Sequence, residues 1–198
     1  MTARLVVLIS GNGSNLQAIL DACAEGRLPA RVVAVFSNKS EAFGLERARR
    51  AGVPAIAFPK QEGESRPDYD RRLAAAAAAF EPDYIILAGW MRLLTMEFLG
   101  RFPCRVINLH PALPGTFPGV HAIERAYAAW QRGEIERTGV MVHLVPDEGV
   151  DSGPVLGVEE VRFRSGETLE AFEARVHEVE HRLLVKTIQE IIASKASN

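Results

Sequence analysis

Two polar side chains, Asn108 and His110, end an apolar run in the segment Asn108-Leu109-His110-Pro111. Residues two apart on a strand point to the same face, so the amide and the imidazole are expected side by side. An amide N–H can stabilise an oxyanion, and an imidazole can move a proton. The pair therefore fits an oxyanion-stabilising catalytic site, and it fits equally well a polar strand end that caps the loop after it.

An acidic, glycine-bearing turn lies further along the chain at 146–154 (PDEGVDSGP). A carboxylate from this turn would orient a neighbouring histidine and stabilise its protonated form if the fold brought the two together. Acidic turns are usually just solvated. The turn alone therefore leaves both interpretations open.

A glycine-bearing loop at 11–15 (GNGSN) follows the first apolar run. Two glycines permit a tight backbone, and a helix that begins there offers free N–H groups to an anion. It is not a dinucleotide fingerprint, because Leu16 stands where the third glycine would be and 37–39 (SNK) where the acidic residue would be. The lysine of a Walker A loop is also absent. We predict a phosphate monoester site, with a purely structural turn as the alternative.

The stretch 177–181 (HEVEH) matches the H-E-x-x-H zinc motif on a predicted helix. No histidine follows His181, so the third ligand would have to be Glu190 on the same uninterrupted helix. Such spacings arise by chance in a charge-rich helix. We therefore predict no metal site and interpret the stretch as a helix surface that faces solvent or substrate.

Buried strands and helices alternate through the first two-thirds of the chain, which is typical of βαβ units in a parallel sheet covered on both faces. The predicted strands are 4–10, 32–36, 55–58, 84–88, 106–109, 139–145 and 155–163. The predicted helices are 14–25, 43–50, 67–80, 95–99, 122–131 and 167–194, the last with Ser165 or Thr168 as its cap. The pattern predicts an α/β fold with an open, mostly parallel doubly wound sheet, a C-terminal antiparallel addition and a long final helix.

Three candidate segments follow predicted strand ends: the glycine loop, Met91-Arg92 and Asn108–His110. Ligands of open α/β sheets bind beyond the carboxyl ends of the strands, where the strand order reverses. We therefore expect the three segments on one rim of the sheet. This shared position is the first real functional signal in the sequence.

The composition is that of an ordinary globular protein, with 198 residues, 47% hydrophobic residues and 24% charged residues. A net charge of −2 argues against a nucleic-acid partner, which usually selects for a basic excess. Cys23 and Cys104 match no metal or redox spacing and are expected to be reduced thiols. No apolar run is long enough for a membrane span, so we expect a cytoplasmic protein.

Seven segments together resemble the glycinamide ribonucleotide formyltransferase family, folate-dependent enzymes of purine synthesis. In chain order they are VVLISGNGSNLQAI, AVFSNK, AFGLERAR, ILAGWMRLL, NLHPALPG, FPGVHA and DEGVDSGPV. The resemblance runs from about Leu5 to His181. It implies a Rossmann-like formyltransferase domain over 1–198, with a phosphate-substrate half at about 1–100 and a folate and catalytic half at about 101–198.

The resemblance also implies residue roles. It places the catalytic trio on Asn108, His110 and Asp151. The substrate-binding residues that it implies are Gly13, Ser14, Asn15, His177 and Glu180. The folate-binding residues that it implies are Arg66, Met91, Arg92, Leu93, Leu94, Asn108, Asp147, Glu148, Gly149, Val150 and Asp151.

Two segments depart from the family pattern. The family often has Leu-Leu-Pro after the His-Pro pair, where this chain has 113–115 (LPG). The chain also has one residue more between His143 and Asp151 than some relatives, which leaves the exact folate contacts within 146–150 open.

The activity that the resemblance implies is direct formyl transfer from 10-formyltetrahydrofolate to the amine of 5'-phosphoribosylglycinamide, with no metal. Asn108 and a protonated His110 would stabilise the oxyanion, and Asp151 would raise the pKa of His110. The partners would be these small molecules, with no nucleic acid or membrane, and the protein a monomer or homodimer.

Three alternative functions remain open. A formyltetrahydrofolate deformylase would be expected to carry an added N-terminal regulatory domain, and a methionyl-tRNA formyltransferase a further C-terminal domain. The third alternative is a module that binds a phosphate-sugar or folate without catalysis. That module would explain the glycine loop and leave the trio without a purpose.

Overall fold

The first half of the chain folds into four parallel strands with three helices between them. A computed structural model describes residues 2–196; Met1, Ser197 and Asn198, which complete the expected domain of 1–198, lie outside the described residues. The elements are β1 (Ala3–Ile9), α1 (Ser14–Ala24), β2 (Ala30–Ser37), α2 (Phe43–Arg50), β3 (Ala55–Ala57), α3 (Arg66–Ala78) and β4 (Tyr84–Leu87).

The second half adds a parallel strand, two antiparallel strands and a long helix. Its elements are α4 (Met96–Leu99), β5 (Val106–His110), α5 (Ala122–Gln131), β6 (Arg137–Leu144), β7 (Val155–Arg162) and α6 (Leu169–Ala196). Each predicted helix and strand is present, with bounds that differ by up to two residues. The predicted cap of the last helix is Thr168, whose Oγ1 accepts a hydrogen bond from Ala171 N at 3.3 Å.

The seven strands form one sheet in the order β3-β2-β1-β4-β5-β6-β7. The pairs from β3 to β5 are parallel, whereas β5–β6 and β6–β7 are antiparallel. The predicted fold class, including the antiparallel addition, is confirmed. The strand order reverses between β1 and β4, where a ligand crevice is expected.

Alternate residues of β1 are buried on opposite faces of the sheet. Leu5, Val7 and Ile9 pack in one core with α1, α2, α5 and α6, while Val6 and Leu8 pack in a second core with α3 and α4. A strand that is apolar on both faces can only be an inner strand of a covered sheet. None of the helices that the structure describes is long and apolar enough to cross a membrane.

Candidate active site

The ends of β5 and the loop between β6 and β7 bring the predicted catalytic trio together. Asp151 is the hub, because its Oδ1 accepts a hydrogen bond from Asn108 Nδ2 at 3.1 Å and its Oδ2 lies 3.3 Å from His110 Nδ1. The same Oδ2 accepts a hydrogen bond from Gly119 N at 2.8 Å. His110 is only 4% exposed, so its charge state is set by these neighbours and by burial.

His143, a residue that the sequence prediction missed, completes the cluster. β6 pairs with β5 so that His143 stands opposite Asn108. Its Nδ1 faces the Leu144 carbonyl at 2.8 Å. Its Nε2 lies 3.1 Å from Asn108 Nδ2 and 3.5 Å from Asp151 Oδ1. The Asn108 amide nitrogen therefore faces both His143 and Asp151.

The two ring nitrogens of His110 both face acceptors. Nδ1 faces Asp151, and Nε2 lies 3.0 Å from the carbonyl oxygen of Phe117. Only the imidazolium form can donate to both. Burial opposes that form and lowers the pKa of His110 below its ordinary value, although the charge of Asp151 acts to raise it. The charge of Asp151 acts in the expected direction, and the protonated His110 expected during the transfer step stays a prediction.

Asp151 is held as a carboxylate in an uncommon backbone conformation. Its φ of 49° lies in the left-handed region, which residues other than glycine rarely occupy. Burial acts to raise its pKa, but the two neighbouring imidazoles and the Gly119 N–H outweigh burial and lower it below the ordinary value. Asp151 is therefore ionised at neutral pH and acts as an acceptor toward the residues around it.

A cavity of about 250 Å³ opens beside the trio. Its walls contain ten of the eleven residues predicted to bind folate, all except Arg66: Met91, Arg92, Leu93, Leu94, Asn108, Asp147, Glu148, Gly149, Val150 and Asp151. Its walls include large apolar residues that are exposed, among them Met91 at 63% and Leu93 at 49%. An apolar cleft with a few fixed polar groups is the usual form of a small-molecule site.

Contacts across the cavity mouth join its two walls. Glu148 Oε1 accepts a hydrogen bond from Met96 N at 3.0 Å, so the loop that carries Asp151 is tied to the start of α4. Arg66 Nε donates to the Leu93 carbonyl at 3.1 Å. Arg66 thus supports the cavity wall in the unliganded protein, and its buried Nη2 has no hydrogen-bond partner among the described residues.

The glycine loop packs tightly against α2. Gly13 has a φ of 77°, and a Cβ added there would lie 2.7 Å from Gly44 Cα. Arg47, which the sequence prediction did not single out, donates from Nε to the Asn12 carbonyl and from Nη2 to Asn12 Oδ1, both at 2.9 Å. The loop is therefore preformed, with an arginine beside it.

The predicted substrate residues of the final helix meet the glycine loop. Asn15 Nδ2 donates to Glu180 Oε2 at 3.2 Å, and the same oxygen lies 2.7 Å from His177 Nδ1. The hydrogen bond to Glu180 raises the pKa of His177 and so favours its cationic form. Within residues 2–196, no group of three or more histidine, cysteine, aspartate or glutamate side chains is placed to hold a metal ion.

Comparisons with known proteins identify the family of this chain. A family model described as formyl transferase matches residues 3–188. The phosphoribosylglycinamide formyltransferase of Schizosaccharomyces pombe is 46% identical to this chain, over 97% of this chain and 98% of that protein. This chain belongs to the formyl transferase family. It is therefore a transferase.

Further relatives within the family support the same assignment. The phosphoribosylglycinamide formyltransferase of Escherichia coli is 43% identical over 90% of this chain and 82% of that protein. The crystal structure of glycinamide ribonucleotide transformylase 1 from Symbiobacterium toebii superposes with a TM-score of 0.89 at 42% identity, covering 95% of this chain and 86% of that chain. Family membership implies a folate-derived formyl donor.

Proposed function

We propose that the protein transfers the formyl group of 10-formyltetrahydrofolate to the amine of 5'-phosphoribosylglycinamide, giving formylglycinamide ribonucleotide and tetrahydrofolate in de novo purine synthesis. The observation that carries this proposal is the hub at Asp151, which joins Asn108 and His110 at the wall of the cavity. A binding module would have no use for such a network. The names of the relatives support the choice of acceptor.

The two substrates would approach the hub from the two halves of the domain. Folate would occupy the cavity, with Met91–Leu94 on one wall and 147–151 on the other. The phosphate would lie on the N–H groups at the start of α1, where the helix dipole and the nearby Arg47 favour an anion. Glu180 would accept hydrogen bonds from the ribose hydroxyls beside Asn15.

The proposed chemistry is one direct transfer. The neutral amine attacks the formyl carbon, and a C–N bond forms as the carbonyl becomes an oxyanion. Asn108 and protonated His110 donate hydrogen bonds to that oxyanion, and Asp151 aligns the ring. The bond from carbon to N10 then breaks, and the proton of the amine passes to N10 through water. The step requires no metal ion, because the amine is itself a sufficient nucleophile.

Substrate binding must rearrange the donors of the unliganded site. Asn108 Nδ2 is engaged by Asp151 and His143, and His110 Nε2 by the Phe117 carbonyl. An oxyanion beside them would exchange for one of these acceptors and would favour the imidazolium that burial disfavours. The catalytic hydrogen bonds of unliganded enzymes often reach their final geometry only with substrate bound.

The proposal is tested by following folate product from 10-formyltetrahydrofolate with and without 5'-phosphoribosylglycinamide. We expect product only when the acceptor is present. Folate product that appears equally fast without the acceptor would identify a hydrolase instead. Calorimetric binding of both ligands without turnover would identify a binding module. Oligomeric state and cytoplasmic location stay predictions.

A further inference from the structure

Arg125, on the first turn of α5, is hydrogen-bonded to the loop that precedes α5. Its Nη2 donates to two consecutive carbonyls, Phe117 O at 2.7 Å and Pro118 O at 2.6 Å. Its guanidinium carbon lies 5.9 Å from the centre of the Phe117 ring. One cation therefore fixes two adjacent peptide units of this loop.

The loop 117–119 contacts both His110 and Asp151, which are called the catalytic dyad below. The Phe117 carbonyl that Arg125 binds also faces His110 Nε2 at 3.0 Å. One residue past Pro118, Gly119 N donates to Asp151 Oδ2 at 2.8 Å. Phe117 itself has a φ of 46°, in the left-handed region that its bulky side chain disfavours, so the loop needs outside contacts to keep this shape.

We propose that Arg125 is a positioning residue for catalysis, which holds the loop 117–119 where its carbonyl meets His110 and its N–H meets Asp151. The inference rests on the proposed roles of His110 and Asp151. Arg125 does not line the cavity and touches neither member of the dyad directly, so it acts through the loop backbone.

The charge of Arg125 and its hold on the loop act on the pKa of His110 in opposite directions. The charged and titratable groups that face His110 are Asp151 from the β6–β7 loop, His143 from β6 and Arg125 from α5. Burial is the largest cause of the lowered pKa of His110, and the cation of Arg125 lowers it further. The Phe117 carbonyl raises the pKa of His110, and this effect is larger than that of the Arg125 charge. Displacement of the loop on loss of Arg125 is therefore expected to lower the His110 titration midpoint.

Two substitutions and a matched control separate positioning from folding. Arg125→Ala removes both donors and the charge while preserving helix propensity, because alanine is the best helix former. Arg125→Lys keeps a cation with several donors near the two carbonyls. Arg132→Ala, just after the other end of α5, removes an exposed arginine whose Nε pairs with Glu134 at 2.6 Å.

Each variant is assayed for kcat and for KM of both substrates, and its five histidines are titrated by NMR of the ring nitrogens. For Arg125→Ala we expect kcat to fall by about 10- to 100-fold, as for other small misplacements of catalytic groups, with KM of the phosphoribosyl substrate unchanged. The His110 midpoint should fall, because the Phe117 carbonyl moves away from Nε2. Arg125→Lys should recover most of kcat and the midpoint, and Arg132→Ala should match the wild type in both.

The inference is overturned if Arg125→Ala keeps the wild-type kcat and His110 midpoint. It is also overturned if kcat falls with an unmoved or raised midpoint and no recovery in Arg125→Lys, because that pattern reports an arginine that does not hold the Phe117 carbonyl on His110. Failure of the proposed function is a separate result, namely a wild-type protein without acceptor-dependent transfer. The NMR titration tests Arg125 even then, because it needs no turnover.

Discussion

His110 stands between two acceptors in a buried site, and the acceptors and burial have opposite effects on its protonation. The Asp151 carboxylate and the Phe117 carbonyl both favour the imidazolium, while burial to 4% exposure disfavours it. Burial prevails in the unliganded protein, and the pKa of His110 is lowered. A developing oxyanion would add negative charge beside His110, raise its pKa and so favour the imidazolium.

The residue-scale prediction concerns the titration of His110. In the wild type we expect an NMR midpoint below the ordinary value of 6.5. Asp151→Asn removes the charge that acts against burial, so the midpoint should fall further. Because the unfolded chain binds this proton first, the stability that His110 contributes to the folded state should decrease as pH falls below 6.5.

The matched control is Glu97→Gln, which removes an exposed carboxylate paired with Arg71 at 3.1 Å. It should leave the His110 midpoint at its wild-type position. A midpoint that rises in Asp151→Asn would contradict the electrostatic account of the dyad.

At the scale of elements, the site depends on how loops pack against helices. The glycine loop approaches α2 so closely that Gly44 N donates to the Gly11 carbonyl at 3.1 Å. The opposite loop is tied to α4 through Glu148 and Met96. A rigid sheet with loops fixed by such contacts positions reacting groups before the substrates arrive.

The element-scale prediction compares two glycines that share a left-handed backbone. At Gly26, with a φ of 72°, an added Cβ would meet nothing within 4 Å, so Gly26→Ala should cost only the backbone strain of about 1–2 kcal/mol. Gly13→Ala adds a clash with the Gly44 backbone at 2.7 Å and should lose more unfolding free energy. Urea denaturation of both variants measures the difference.

Gly13→Ala should also raise KM for the phosphoribosyl substrate, since the loop must shift. Equal losses of unfolding free energy in the two variants, with an unchanged KM, would show that the approach of the loop to α2 is unimportant.

For the whole molecule, the spacing of apolar residues and the residues that end helices and strands predicted the architecture correctly. Alternation of buried strands with helices predicted the parallel half, and the switch to longer strands after α5 predicted the antiparallel addition. Asn108 and His110 followed from strand geometry, because residues two apart share a face. Asp151 depended on resemblance, since only the fold brings a distant turn to β5.

The residues missed by sequence analysis share one physical reason. His143 becomes a partner of Asn108 only through the antiparallel register of β5 and β6, which local patterns do not specify. A signal was present, because His143 is a polar residue at the end of the apolar run 140–142 (VMV). Arg125 resembles any exposed helical arginine until its two carbonyl partners are known. The net direction of the His110 pKa shift could not be predicted from the sequence, because it depends on how deeply the side chain is buried.

The central claim is that Asn108 and His110 stabilise the oxyanion of the transfer. It is tested most directly by kcat of Asn108→Ala at saturating concentrations of both substrates, measured on protein with a cooperative unfolding transition. The account predicts that kcat falls by about 10²–10³, the usual effect of losing one oxyanion donor. Near-normal turnover in Asn108→Ala would contradict it.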